Sequence, residues 1–219
     1  QSKPKATGKP KIMPLHDWLA YAPVFDTQDM AGTTRETYEL TAMRGMDSTA
    51  ASRYFVDGQY LAPLPASEGE LEEIFALYNE KGLAAKTKTR GHATEASLKS
   101  GEAAKYRVIH LATHGFVNQE KPELSGIFFA QDTAQAQAAP GYLSANQTSQ
   151  NEGVLYQSEL YNLDFNADLV VLSACETGLG KIQQGEGVIG LTRALLYAGS
   201  DNLVVSLWQV SDASTRQLM

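Results

Sequence analysis

With 219 residues, 43% of them hydrophobic, and a formal net charge of −7, the chain is long enough to bury one sizeable core. Lys3, Lys5, Lys9 and Lys11 stand in the first eleven residues without an acid among them, leaving −11 on the remainder, and a body that acidic lacks the footprint of a nucleic-acid binder. No run reaches the length of a transmembrane helix, and a single cysteine excludes an intramolecular disulfide, so a cytoplasmic protein is expected, with neither nucleic acid nor membrane as a direct partner.

Residues 1–14, rich in Lys, Pro, Gly and Thr, are expected to be a basic flexible lead-in to one domain over 15–219. His16 to Phe25 reads as the first strand, ended by Pro23 and Asp26. Residues 26–53 have no clean period and read as an insertion. Pro65 to Gly82 is an amphipathic helix: Leu71, Ile74, Phe75 and Tyr78 fall at helical spacing, Ser67 and Glu70 spell a capping box, and Gly82 stands where a C-terminal cap belongs. Leu83 to Arg90 is a short strand, and Thr94 caps a short helix over Glu95 to Lys99.

Tyr106 to His114 is the next strand, running into Gly115. Ser125 to Ala130 and Gly153 to Tyr156 read as the two arms of a hairpin separated by a polar insertion over 132–152, and Ser158 to Leu163 as a helical turn. Asp168 to Gly180 (D-L-V-V-L-S-A-C-E-T-G-L-G) is an apolar strand expected to end near Ala174, followed at once by Cys175 and a glycine-rich turn. A helix over Glu186 to Ala198 stops at Gly199, Asn202 to Trp208 is a further strand, and Ser211 or Asp212 caps a helix that the chain leaves at Met219. The domain thus reads as incomplete at both ends. Strands alternating with helices predict an α/β fold, a mostly parallel sheet covered on both faces.

In such a sheet His114 and Cys175, 61 residues apart, both fall at carboxyl ends of strands, on one edge. Imidazole beside thiol yields a thiolate at neutral pH. A lone cysteine is more often a small buried hydrophobe, and the position of Cys175 at the start of a polar, glycine-rich segment is what argues for a rim. His110 and His114 stand four apart, but the segment is strand-like and position 111 is leucine, so zinc is not expected and His110 reads as a core histidine. Gly185, Gly187 and Gly190 spell G-x-G-x-x-G without the preceding strand that a dinucleotide site needs, and read instead as packing and loop glycines.

H-L-A-T-H-G at His110 to Gly115, L-S-A-C-E-T-G at Leu172 to Gly178, G-E-G-V-I-G-L-T-R-A at Gly185 to Ala194 and S-L-W-Q-V-S-D-A-S-T at Ser206 to Thr215 together resemble the CHAT peptidase family of the caspase, gingipain and separase group. The resemblance covers about Leu64 to Met219. It implies a caspase-like α/β/α sandwich and a cysteine endopeptidase with His114 and Cys175 as the catalytic dyad. The backbone N–H groups of Gly115 and Cys175 are then expected to stabilise the oxyanion, with no metal or organic cofactor required. Asp212 resembles an acid that meets a basic P1 side chain in separases, although an Asp there equally caps a helix. Trp208 and Glu176 are further candidates for substrate contact. The family implies a protein substrate and regulation by an attached domain, such as a tetratricopeptide repeat, or by a partner. A catalytically silent interaction module and, less well supported, a nucleotide-binding domain are the competing readings.

Overall fold

The computed structural model describes residues 13–25, 55–56, 59–60, 64–118, 121–130, 153–176 and 186–206, with backbone only at 55–56, 59–60, 174–176 and 186–188. The expected lead-in, the insertions over 26–53 and 132–152, and the final helix lie outside the described residues. Runs rich in β-branched, aromatic and other apolar residues form β1 (His16–Ala22), β5 (Tyr106–Phe116), β6 (Gly126–Phe128), β7 (Val154–Tyr156), β8 (Leu169–Glu176) and β9 (Leu203–Val205), while β4 (Ala85–Thr89) alternates Lys with Thr. A separate antiparallel pair, β2 (Phe55–Val56) and β3 (Gln59–Tyr60), was not anticipated, although the Asp57-Gly58 dipeptide between them is a strong hairpin signal. The helices are α1 (Pro65–Glu80), α2 (Glu95–Lys99), α3 (Gln157–Leu160) and α4 (Glu186–Tyr197).

Among the described residues, seven strands make one sheet. β4, β1, β5, β8 and β9 are parallel neighbours in that order, while β6 and β7 add an antiparallel hairpin alongside the carboxyl end of β5. Pleating divides the side chains between two layers. Leu19, Tyr21, Ile109, Leu111, Val170 and Leu172 pack under α2, α3 and α4, with Leu98, Leu160, Leu191 and Leu195. Trp18, Ala20 and Ala112 meet Leu71 of α1 on the opposite face. The molecule is therefore an α/β/α sandwich on a mostly parallel sheet, as the alternation of elements predicts.

Local signals mostly act where expected. Thr94 accepts from the Ser97 amide at 3.2 Å and caps α2. Gly82, at φ 68°, ends α1: the Leu83 amide donates to the Tyr78 carbonyl at 2.9 Å and the Gly82 amide to Asn79 at 3.0 Å. Gly190 lies close to α3, where a Cβ would stand 2.6 Å from Gln157 Oε1 and the Gln157 side chain would have to shift to admit it. Gly190 itself lies inside α4, as does Gly187, so neither belongs to a loop.

The capping box requires correction. α1 begins two residues before Ser67, with Pro65 in its first turn, where a missing N–H costs nothing. The Ser67 hydroxyl donates to the Leu64 carbonyl at 2.7 Å. Glu70 is buried beneath the sheet, with Oε1 2.9 Å from Nε2 of the equally buried His110 on β5. The contact has ion-pair distance without the alignment of a good hydrogen bond, and neither atom makes another one. Trp18 closes it with its ring edge-on to the imidazole, centroids 6.1 Å apart.

A second buried acid ties the hairpin to the opposite layer. Glu95 bonds Lys99 one turn along α2 and accepts the Gly153 amide at 3.1 Å, where the chain enters β7. Lys99 also reaches Glu159 at 2.7 Å, and Glu159 accepts the Tyr156 amide at the start of α3. Burial raises the Glu95 carboxyl above the ordinary carboxylate range, against the opposing pull of Lys99.

Two stability predictions follow from these acids. Replacing Glu70 by Leu strands a buried imidazole nitrogen and is expected to cost about 2 kcal/mol in urea denaturation. The double variant Glu70→Leu, His110→Phe is expected to lose less than the sum of the two single changes. For Glu95, a raised native value means its contribution is greatest below the unfolded-state value and is lost as pH rises through the native one. The stability of the parent relative to Glu95→Gln is therefore expected to increase as pH falls through the range just above the ordinary carboxylate value, read by paired thermal melts.

Candidate active site

β5 and β8 are joined over eight consecutive pairs, from Val108↔Leu169 to Gly115↔Glu176, and the seventh is His114↔Cys175. In parallel strands, residues in register share a face of the sheet, so the only cysteine position is the direct cross-strand neighbour of His114. β8 continues through Cys175 to Glu176, two residues beyond the expected end at Ala174. β5 likewise continues past His114 to Phe116. The pair thus stands in the last rungs of a ladder rather than in flanking turns, and the ladder holds their backbones at a fixed separation.

The face is that of α1. His114 and His110 alternate with Ile109, Leu111 and Thr113, which point to the opposite layer, where the Thr113 hydroxyl donates to the Phe128 carbonyl at 2.6 Å. The two histidines are therefore on one face but two strand repeats apart, with Ala112 between them, and they differ in neighbours. His110 meets Glu70. His114, 2% exposed, lies against Phe25, with ring centroids 5.3 Å apart and planes tilted by 33°. Among the described residues no group of three or more His, Cys, Asp or Glu side chains is placed to hold a metal ion.

Phe25 arrives there by an unusual backbone. After β1 the chain passes through Pro23 into Val24 at φ 63° and Phe25 at φ 55°, two successive left-handed residues without glycine. Such conformations cost on the order of 1–3 kcal/mol each and persist only where the surroundings enforce them. Here the Leu64 amide donates to the Val24 carbonyl at 2.6 Å and the Phe25 amide to that of Pro23 at 2.7 Å. The Phe25 ring is then buried with Leu64, Phe116, Phe128 and Val154, an apolar cluster that borders His114.

Gly115 is in register with Ile127 of β6 on one side and Glu176 of β8 on the other. The sheet thus brings together His114, Gly115, Cys175 and Glu176 at one edge. Trp208 and Asp212 lie outside the described residues. The sequence pattern places Phe25 only at the end of a first strand over His16 to Phe25, whereas β1 stops at Ala22, and no signal in a single sequence indicates which way the chain turns after Pro23.

Among the described residues no helix is long and apolar enough to cross a membrane. A search against curated proteins finds no match. The family model of the CHAT domain matches residues 19–219, a span that takes in the described strands of the sheet except the first three residues of β1, and both members of the His114 and Cys175 pair. The chain belongs to the CHAT domain family, a caspase-like family.

Proposed function

We propose that the chain is a cysteine endopeptidase that cleaves a protein substrate through His114 and Cys175. The observation that carries this reading is the register of β5 and β8, which makes the two residues direct neighbours on one face at the carboxyl edge of a parallel sheet. In the proposed reaction the Cys175 thiol gives its proton to His114, and the thiolate attacks the carbonyl carbon of the scissile peptide. Backbone N–H groups of Gly115 and Cys175 receive the negative charge of the tetrahedral intermediate. His114 returns the proton to the departing amine as the C–N bond breaks, leaving a thioester, and then takes a proton from the water that hydrolyses it. Neither metal nor organic cofactor enters any step.

The burial of His114, 2% exposed, supports a site that must open before substrate reaches it. That agrees with regulation by an attached domain, such as a tetratricopeptide repeat, or by a partner protein. It is also the observation on the side of the second reading, a caspase-like interaction module without turnover. Cytoplasmic residence is the setting in which a thiol stays reduced and ready for attack. For specificity, Asp212 is the proposed partner of a basic P1 side chain, with Trp208 and Glu176 as further substrate contacts.

Two measurements test the reading. A peptidyl ketone reactive towards thiols is expected to label Cys175, at a rate at least about 100-fold lower in His114→Ala, the scale on which general acid–base partners act. Cleavage of a substrate proven with the parent is expected to vanish in Cys175→Ala, and cleavage that persists there removes the endopeptidase reading. Asp212→Asn is expected to lower kcat/KM for basic P1 residues by about 10-fold or more while leaving others near parent values. An unchanged P1 profile removes the specificity assignment alone.

A further inference from the structure

We propose that Phe25 is a positioning residue for His114, its ring holding the plane of the imidazole in the orientation that the dyad requires. The inference rests on the peptidase reading for its consequence, but its structural content stands on Phe25 and His114 themselves.

Three observations converge. The ring contact, at 5.3 Å between centroids with a 33° tilt, covers one side of an imidazole that is itself 2% exposed. A histidine side chain turns about two bonds, and the outer one has a broad torsional well, so the plane of the ring is fixed by what packs on it. The backbone that delivers Phe25 is strained at Val24, a β-branched residue at φ 63°, and again at Phe25. Burial of an aromatic ring does not by itself need such a path. The third observation is topological. β1 runs beside β5 as far as the pair Tyr21↔Leu111. Continued in register, it would bring residue 24 beside His114 and occupy the side of β5 that β6 takes at Gly115 and Phe116. Turning out of the sheet at 23–25 vacates that side for β6 and places Phe25 on the face of His114. The strain thus sits at the one place where a strand must yield its neighbour and still supply a wall for the imidazole.

A ring that only fills space is replaceable by an aliphatic group of similar bulk, whereas a ring that orients the imidazole is not. Phe25→Leu and Phe25→Met keep most of the volume and lose the flat surface. Phe128→Leu removes an aromatic ring from the same apolar cluster and serves as the packing control.

The test uses the full chain with its four histidines labelled at Cε1, His114 being assigned by its loss in His114→Ala. The parent is expected to give one narrow His114 resonance, Phe25→Leu and Phe25→Met a broadened or doubled one, and Phe128→Leu a single one. In turnover, the Phe25 variants are expected to lose about 10-fold in kcat with KM within about twofold, and Phe25→Tyr, which keeps the flat ring, to recover most of it. A single narrow His114 resonance in both aliphatic variants overturns the proposal, as does equal broadening in Phe128→Leu. Because the resonance needs no substrate, it decides the role of Phe25 even if Cys175→Ala proves the endopeptidase reading wrong.

Discussion

The pairing register of β5 and β8 is the constraint on which everything else depends. A slip by one residue would move Cys175 to the opposite face from His114 and would also turn Val170 and Leu172 out of the layer they share with Ile109 and Leu111. The same alternation that buries the core therefore sets the chemistry-bearing pair side by side. At the other end of the ladder, Arg107 Nε donates to Asp168 Oδ2 at 2.8 Å, and the Asp168 amide donates to the Arg107 carbonyl at 2.7 Å. That ion pair is exposed and adds little stability, but it marks the correct start of the ladder. Register is specified mainly by burial, because the apolar side chains of both strands must enter the same layer together.

The mostly parallel character of the sheet was legible for a related reason, although its strand order was not. Short β-branched runs separated by helices leave few arrangements open, and those that remain are parallel. Legibility failed where one residue could serve two masters. Ser67 and Glu70 have the spacing of a capping box, and in an isolated peptide that would suffice. In the folded chain Glu70 is drawn instead under the sheet to His110, and Pro65 starts the helix before Ser67 can cap it. The outcome is set by a residue forty positions away, which no local pattern reports. The end of β8 was missed for the opposite reason: Glu176 and the glycine-rich segment after it read as a turn, and the partner strand carries Cys175 and Glu176 into the ladder.

His110 and His114 show how far position alone can mislead. Four residues apart in a helix, they would form one metal-binding edge; in a strand, both lie on one face but each meets a different element of the α1 side. His110 is held between Glu70 and Trp18, a pairing that locks α1 on the sheet. His114 lies beyond α1, in the apolar cluster with Phe25 at the carboxyl edge. The division leaves one imidazole against Glu70 and Trp18 and the other against the Phe25 ring.

The carboxyl edge is also where the sheet stops being uniform. β5 has parallel neighbours on both sides up to Leu111, but beyond it one neighbour becomes the antiparallel β6. That exchange is possible only because β1 leaves at Pro23, a residue without an amide to offer a ladder. The change of partner brings Phe116 and Phe128 together, with ring centroids 4.9 Å apart, and Phe25 completes the cluster from the departing strand. The far arm of the hairpin is tied by Glu95 through the Gly153 amide, and Glu95 is held by Lys99 and burial rather than by the sheet. The apolar wall beside His114 is thus anchored from both layers of the sandwich: Leu64 at the start of α1 holds Val24, and α2 holds the strand that carries Val154. A displacement of either helix would be felt at His114 through packed rings. Close-packed interiors transmit such shifts rather than absorb them.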